Sequence, residues 1–325
     1  MKLSDFDYNL PKELIAQYPL KERDSARLLV LNRAKGTIEH RVFKDITDYL
    51  KAGDLLVLND TKVLPCRLEG KRQTGGRVSV LLVNKKDGMT FNAMLKPGRL
   101  KIGEKIIFNG DNFCGTISAK NEISFADCGI DSVYKRGRMP LPPYIKREPE
   151  GLDDVYYQTV YAHEEGALAS PTAGLHFTEG LIKRIESQGV NTAYITLHVG
   201  RGTFTPVKAE DVTEHKMEPE YFKISDSVTR KLEQAQRVIA VGTTSLRTLE
   251  TYSTGKNEGF TDLFVYPGYK FNIVDCLITN FHLPKTTLFM LACAFAGEKL
   301  IKQAYQEAID QKYRFYSYGD AMLIV

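Results

Sequence analysis

No run of apolar residues in this 325-residue sequence is long enough to cross a membrane. The longest, Thr287–Ala296 with its flanks, is well short of the roughly 20 residues that a transmembrane helix needs. The first residues, MKLSDFDYNLPKELIAQ, place acids and prolines among the apolar positions, so they lack the basic and apolar regions of a signal peptide. We therefore expect a cytoplasmic protein with no membrane partner.

The sequence also has no closely spaced pair of cysteines. A zinc site or a redox motif needs such pairs, whereas single cysteines are usually small buried residues. We expect reduced, mostly buried thiols and no metal site. The five cysteines are Cys66, Cys114, Cys128, Cys276 and Cys293.

Positive charge is concentrated in one part of the chain. Between Cys66 and Arg138, 14 lysines and arginines stand against 7 aspartates and glutamates, a net charge of +7 in a chain whose total is +4. A locally basic module favours a polyanionic partner such as RNA, and the cluster Lys135, Arg136 and Arg138 adds to this interpretation. Surface lysines that only promote solubility are the alternative for any single residue.

The same stretch has the pattern of a small all-β unit. Short runs such as RVSVLLVN, TFNAML and EISFAD are rich in β-branched and aromatic residues and are separated by turn residues. The proline-rich segment RMPLPPYIKREP closes it as a linker or rim. We predict a small β-barrel over residues 65–145.

Strand and helix patterns alternate on both sides of this unit. ARLLVLNR and DLLVLND are strands; after the prolines come a helix capped by Thr178, a strand to about residue 200, a helix from 226 to 235, the strand RVIAVG, and helices from 246 to 252 and 298 to 312. The predicted fold is an α/β main domain, residues 1–64 and 146–325, with the barrel inserted. The crevice between the two units is a favoured place for a ligand.

Two glycine-rich segments have no helical or strand period. GALASPTAGLHFT contains His176, and HVGRGTFTPV contains His198. Small residues let the backbone approach a ligand closely, and an imidazole can act there as acid, base or donor. A tight structural turn explains such loops equally well.

Other polar residues follow strands. The strand VIAVG ends in Gly242 and is followed by Thr243, Thr244 and Ser245 at a helix N-terminus. Amides and hydroxyls at such a position bind anions well. Helix capping alone also explains these residues. Later segments contribute Asn280 and His282 in one turn and Asp320 in another. Each of these has a purely structural role as its alternative.

Ten segments in order closely resemble the S-adenosylmethionine:tRNA ribosyltransferase-isomerase family of queuosine biosynthesis. The resemblance spans essentially the whole chain. The segments are NDTKVLPCRL, MPLPPYI, YQTVYA, SPTAGLHFT, HVGRGTF, HKMEPEYF, VGTTSLRTLE, YPGYKF, ITNFHLPKTTL and YSYGDAMLI.

This resemblance implies an α/β domain with an inserted β-barrel and a specific reaction. The ribosyl group of S-adenosylmethionine is transferred and isomerised onto 7-aminomethyl-7-deazaguanine at the wobble position of tRNA, giving epoxyqueuosine and releasing adenine and methionine. S-adenosylmethionine is then a consumed co-substrate, no cofactor is implied, and we expect a monomer.

The resemblance also implies site residues. In the scheme proposed for the family, a base removes a proton from the 5′ carbon beside the sulfonium, and a neutral imidazole suits that transfer. We assign catalytic roles to His176, His198 and Asp320 and RNA binding to Lys135, Arg136 and Arg138. We assign substrate binding to Asn59, Asp60, Lys62, Ser170, Thr172, Gly174, Gly200, Gly202, Thr203, Glu220, Gly242, Thr243, Thr244, Ser245, Arg247, Asn280 and His282. Lys62 stands where arginine is usual in the family, which removes a planar, bidentate fork.

Two other functions stay open on the residues alone. The VGTTS turn fits another enzyme acting on a nucleoside or a phosphorylated metabolite, and the basic β unit fits a non-catalytic RNA-binding module.

Overall fold

The computed structural model describes residues 1–108, 113–126, 128–200, 202, 207 and 209–325. The seven α-helices in these ranges are α1 (Ile130–Tyr134), α2 (Gly151–Tyr156), α3 (Glu179–Ser187), α4 (Asp226–Gln234), α5 (Gly242–Tyr252), α6 (Thr287–Ala296) and α7 (Glu298–Asp310). The strands are β1 (Arg27–Asn32), β2 (Thr37–Val42), β3 (Asp54–Asn59), β4 (Thr61–Val63), β5 (Arg67–Arg72), β6 (Arg77–Lys85), β7 (Thr90–Lys96), β8 (Lys105–Phe108), β9 (Cys114–Ala119), β10 (Glu122–Phe125), β11 (Glu164–Ala167), β12 (Asn191–Leu197), β13 (Glu220–Lys223), β14 (Arg237–Val241), β15 (Glu258–Thr261), β16 (Cys276–Asn280) and β17 (Ala321–Ile324).

The main domain is built on a nine-stranded mixed sheet in the order β15-β13-β12-β3-β14-β16-β17-β1-β2. Four adjacent strands, β12, β3, β14 and β16, are parallel. Their carboxyl ends therefore meet at one edge of the sheet, which is where ligands bind in open α/β sheets.

Alternating side chains of the strands enter two separate cores. In β1, Leu29 and Leu31 pack with α5, α6 and α7, whereas Leu28 and Val30 pack on the other face with α3. Because strand side chains alternate with a period of two, a continuous apolar strand must be covered on both faces. The runs LLVLN in β1 and β3 thus specify strands that are covered on both faces of the sheet.

The inserted unit is a closed antiparallel barrel in the order β10-β7-β6-β5-β8-β9, and its strands fall within the segment 65–145. Val78, Val80 and Leu82 fill its interior at alternate positions. The predicted fold class is confirmed. Strand β5, RLEGKR, was not predicted. In this charged run Leu68 is the buried apolar side chain, and Gly70 packs closely against neighbouring barrel strands.

The proline-rich segment 138–149 contains no helix or strand. Met139, Leu141 and Ile145 are nevertheless buried, in a cluster with Tyr157 and Tyr318 of the main domain. This segment fixes the junction between the barrel and the main sheet.

Helices α3 and α4 agree with the sequence pattern to within one residue, and α7 ends two residues before its predicted end. Helices α1 and α2 were not predicted. The hydroxyl of Thr178 accepts from the Leu181 amide at 3.1 Å and caps α3 as predicted. Helix α5 begins at Gly242 rather than at residue 246. Gly242 has φ +91°, a conformation that glycine adopts without a steric penalty. Strand β14 therefore passes directly into the helix.

Cys66, Cys276 and Cys293 are buried, whereas Cys114 and Cys128 are partly exposed. Among the described residues, no group of three or more His, Cys, Asp or Glu side chains is arranged to hold a metal ion. None of the helices in the described ranges combines the length and the apolar character needed to cross a membrane.

Candidate active site

A cleft opens at the carboxyl ends of β14 and β16, beside the loop that follows β11. We call it the central cleft. Its polar walls include eight of the residues predicted from the sequence, which come from three separate segments of the chain. They are Ser170, Thr172, Gly242, Thr243, Thr244, Arg247, Asn280 and His282.

Three buried polar atoms in the central cleft lack a hydrogen-bond partner among the described residues. They are Oγ of Ser170, Oγ1 of Thr244 and Nη2 of Arg247. An unpaired buried polar group costs about 1 to 3 kcal/mol, so three such atoms in one cleft indicate a polar ligand.

Arg247 is oriented by two protein contacts. Its Nε donates to the Leu263 carbonyl at 2.8 Å and its Nη1 to a carboxylate oxygen of Glu220, and both charged side chains are buried. The other Glu220 oxygen accepts the Gly200 amide at 2.8 Å. Pairing offsets the cost of burying both charges and leaves Nη2 available to an anion.

The first turn of α5 forms the floor beside Arg247. Gly242, Thr243 and Thr244 line the central cleft, at the positive end of a helix dipole. Ser245 faces away, since its hydroxyl is buried and donates to the Val241 carbonyl at 2.8 Å. The turn therefore combines a helix N-terminus with an arginine, an arrangement suited to a carboxylate or phosphate.

Asn280 connects the central cleft to His176. Its Oδ1 accepts from the Thr172 hydroxyl at 2.8 Å, and its Nδ2 donates to Nε2 of His176 at 3.1 Å. Burial lowers the pKa of His176 to about 4, so the ring is neutral near pH 7 with its proton on Nδ1. His176 lies behind Asn280 and does not itself line the central cleft.

His282 is also neutral near pH 7. Burial lowers its pKa to about 3, and its Nε2 lies 2.8 Å from the Thr279 hydroxyl. Its backbone amide donates to the Tyr305 hydroxyl at 3.0 Å. These contacts fix the turn after β16 at the wall of the cleft.

A second cleft, the interdomain cleft, lies between the barrel and the main domain and contains His198. Its main-domain wall includes Gly200, Glu220, Tyr221 and Phe260, and its barrel wall includes Asn84, Asn92, Met94, Lys120 and Asn121. Nδ1 of His198 lies 2.8 Å from the Thr61 hydroxyl, and burial lowers the pKa of the ring. A Cβ on Gly166 would lie 2.7 Å from Nε2 of His198, so only glycine permits this approach.

Asp320 lies outside both clefts. Its Oδ1 accepts the Arg27 amide at 2.9 Å and its Oδ2 the Arg314 amide at 2.8 Å. The carboxylate ties the turn before β17 to the start of β1, and this geometry favours a structural role over the predicted catalytic one.

The residues at the end of β3 and just after it make contacts within the protein. The Asn59 amide bonds both backbone groups of Leu197, at 3.0 Å each, and so fixes β3 against β12. Asp60 accepts from the Thr196 hydroxyl at 2.8 Å, and burial raises its pKa. Lys62 is half-exposed and pairs with Glu165 at 2.9 Å. None of the three lines either cleft.

The remaining glycines have packing roles where the structure describes them. A Cβ on Gly174 would lie 2.0 Å from the Tyr161 hydroxyl oxygen, and one on Gly202 would lie 3.3 Å from Cβ of Glu218. Thr203 lies outside the described residues.

Sequence reasoning missed an aromatic wall of the central cleft. Tyr144, Tyr157 and Tyr316 line it, and the rings of Tyr144 and Tyr316 meet edge to face with centroids 3.7 Å apart. All three tyrosines lie in segments of the resemblance, MPLPPYI, YQTVYA and YSYGDAMLI, so the resemblance identified the segments although it did not identify the rings.

The predicted RNA-binding cluster lies at the end of the barrel segment. Lys135 and Arg138 are exposed, whereas Arg136 packs over the Phe113 ring at 4.6 Å and donates to the Ser132 carbonyl at 3.0 Å. Arg138 also lines a groove on the barrel surface together with Lys71, Arg72 and Arg77.

The chain is similar to known proteins over its whole length. A family model described as "Queuosine biosynthesis protein" matches residues 3–324. The S-adenosylmethionine:tRNA ribosyltransferase-isomerase of Sulfurihydrogenibium sp. (strain YO3AOP1) is 55% identical, and that of Aquifex aeolicus (strain VF5) is 48% identical, each over 100% of both chains. The crystal structure of S-adenosylmethionine tRNA ribosyltransferase from Thermotoga maritima, at 2.00 Å resolution, is 35% identical with a TM-score of 0.58, over 99% of this chain and 100% of that one.

Proposed function

The chain belongs to the S-adenosylmethionine:tRNA ribosyltransferase-isomerase family of queuosine biosynthesis, and we propose that its acceptor is 7-aminomethyl-7-deazaguanine at the wobble position of tRNA. The enzyme transfers and isomerises the ribosyl group of S-adenosylmethionine. In the proposed reaction a base removes a 5′ proton, the ylide expels adenine, the aminomethyl nitrogen attacks, and methionine leaves as the epoxide closes.

We assign the donor to the central cleft. The observation that carries this assignment is the set of three unpartnered polar atoms on Ser170, Thr244 and Arg247. The methionine carboxylate of S-adenosylmethionine is an anion that matches Nη2 of Arg247 and the N-terminus of α5. The aromatic wall supplies apolar surface for the rest of the donor.

Asn280 is suited to the departing adenine. An amide nitrogen has two hydrogens, and His176 accepts one of them, so the second is free to donate into the cleft. We propose that His176 acts in catalysis through this amide, because its own Nε2 is already engaged.

His198 is the better candidate for direct proton transfer. It lies in the interdomain cleft, where the lowered pKa keeps the ring neutral and able to accept a proton near pH 7. The ion pair of Glu220 and Arg247 joins the two clefts, since Glu220 lines the interdomain cleft and Arg247 the central one. Donor and acceptor would meet at this shared wall.

S-adenosylmethionine is a consumed co-substrate in this proposal, and no cofactor takes part. We further propose that the enzyme modifies tRNA as a monomer in the cytoplasm.

Incubation with S-adenosylmethionine and tRNA tests the proposal. We expect free adenine and methionine, in equal amounts, only with tRNA that carries 7-aminomethyl-7-deazaguanine at the wobble position. The same tRNA with guanine there is the control. Adenine release that is equal with both tRNAs, or absent with both, would overturn the assigned acceptor.

A further inference from the structure

A row of three aromatic rings crosses the sheet edge at the interdomain cleft. Tyr221 in β13 lies directly opposite Phe260 in β15, and the His198 amide donates to the Tyr221 carbonyl at 2.9 Å. Residues opposite each other on neighbouring strands project from the same face of a sheet. The His198 and Tyr221 rings are stacked with centroids 5.5 Å apart, and those of Tyr221 and Phe260 meet edge to face at 5.9 Å. We call these residues the aromatic row.

The outer end of the aromatic row is open. The Phe260 side chain is 68% exposed although it is large and apolar. Tyr221 is held in place because its hydroxyl donates to Glu258 at 2.6 Å. A fixed, exposed aromatic surface that lines a cleft is typical of a binding site.

The opposite wall of the interdomain cleft comes from the basic barrel and carries amide and lysine side chains beside the apolar Val83, Ala93 and Met94. Asn84, Asn92 and Asn121 line it together with Lys120, and the cleft encloses about 680 Å³. Amide side chains both donate and accept hydrogen bonds, as the edges of nucleobases do. One wall therefore offers ring faces and the other offers hydrogen-bonding edges.

Charge in the interdomain cleft is largely balanced. Glu218 and Glu220 lie on the main-domain wall, Lys120 faces them from the barrel, and Glu220 is paired with Arg247. A site without excess positive charge suits an uncharged base better than a phosphate of the RNA backbone. The combination fits a nucleobase that has left the stack of its loop.

We infer that the aromatic row stacks an unpaired base of the anticodon loop, with Phe260 as the outer surface and the barrel amides on the base edge. This inference rests on the proposed function and adds to it the place where the RNA base is held. Stacking on an aromatic side chain tolerates any base, so the row holds the loop while other contacts select the modified base.

The test compares three variants in binding to an anticodon stem-loop RNA. Phe260→Ala should weaken binding about tenfold, the scale of one lost base stacking contact, whereas Phe260→Trp should keep wild-type affinity. Val155→Ala is the matched control, because Val155 is 63% exposed on α2 and lies outside both clefts. The slope of affinity against salt should be equal in wild type and Phe260→Ala, since stacking releases no counterions.

Unchanged RNA affinity in Phe260→Ala would overturn the inference. A shift from dimer to monomer in this variant, with unchanged RNA affinity, would instead make the aromatic row an interface between copies of the chain. RNA binding is measured without turnover, so the result is independent of the adenine-release assay. A wild-type enzyme that bound the stem-loop through Phe260 but released no adenine would refute the proposed function alone.

Discussion

The side-chain amide of Asn280 donates to Nε2 of the buried His176 at 3.1 Å while its oxygen accepts from Thr172. Both ends of the amide are thus fixed, and the orientation of the group that faces the central cleft depends on a histidine behind it. Because the ring is neutral and its Nε2 is occupied, His176 is suited to positioning Asn280.

His176→Ala should fold but lose turnover by roughly 100-fold or more, the scale of losing one positioned hydrogen-bond donor in the transition state. Asn280→Ala should lose a similar amount, and the double variant should be no worse than either single variant, because residues that act as one unit are not additive. His163→Ala, at a ring that is 82% exposed, is the control. Activity of His176→Ala within about threefold of wild type would remove His176 from the mechanism.

Stability should fall in acid because two histidines are buried in the neutral form. Burial lowers the pKa of His176 to about 4 and that of His282 to about 3, whereas an unfolded histidine has a pKa of about 6.5. Between these values the unfolded chain binds more protons, so stability is present above about pH 6.5 and is lost as the pH falls toward 4. From pH 7 to pH 5 the loss is at most about 2 kcal/mol for each ring.

Urea unfolding at pH 7 and pH 5 measures this loss. His176→Gln should reduce the difference between the two pH values, since the variant no longer has that ring to protonate. His163→Gln should leave the difference as in wild type. An equal pH dependence in His176→Gln and wild type would contradict the assignment.

The sequence predicted the fold well where its strands are continuously apolar or alternate between apolar and polar residues. The runs LLVLN in β1 and β3 indicate covered strands, and the short alternating runs after Cys66 indicate a small all-β unit such as a barrel. It failed at β5, where RLEGKR has too few apolar residues to show a period. It also began α5 too late, because the hydroxyl run of Thr243 to Ser245 resembles a cap rather than a first turn.

The site was predicted less completely because segments do not specify which side chains face the ligand. The VGTTS turn placed Thr244 in the central cleft but turned Ser245 toward Val241. Asn59 and Asp320 lie in segments that resemble the family, but their side chains form hydrogen bonds with backbone groups of the protein. Tyr144 and Tyr316 converge from positions far apart in the chain, and no local pattern contains that information.

Ser170→Ala and Thr244→Val should weaken binding of S-adenosylmethionine about tenfold each without loss of stability. Their hydroxyls have no partner among the described residues in the free protein, so removal leaves no group unpaired. Ser245→Ala, one residue further along α5, should do the opposite. It should lose about 1 kcal/mol of stability with the bond to Val241 and keep donor affinity. For all three variants, calorimetry measures the affinity for S-adenosylmethionine and thermal unfolding measures stability. If the three variants bound S-adenosylmethionine with equal affinity, this turn would be excluded from the donor site.

Replacing Lys135, Arg136 and Arg138 together by alanine should weaken tRNA binding and leave S-adenosylmethionine binding unchanged. The barrel segment has a net charge of +7, and each lysine or arginine that neutralises a phosphate releases counterions. Lys135 and Arg138 are exposed, whereas Arg136 is held over Phe113, so two phosphate contacts should be lost rather than three. At about 0.7 to 0.9 per contact, the slope of log affinity against log salt should fall by up to about two. The triple replacement of Lys35, Lys183 and Lys299, exposed lysines of the main domain, is the matched control for the loss of three charges. If the control lowered the slope as much as the barrel variant, total charge and not the barrel surface would determine tRNA affinity. If the slope of the barrel variant were unchanged, the RNA would instead follow the groove that contains Lys71 and Arg77.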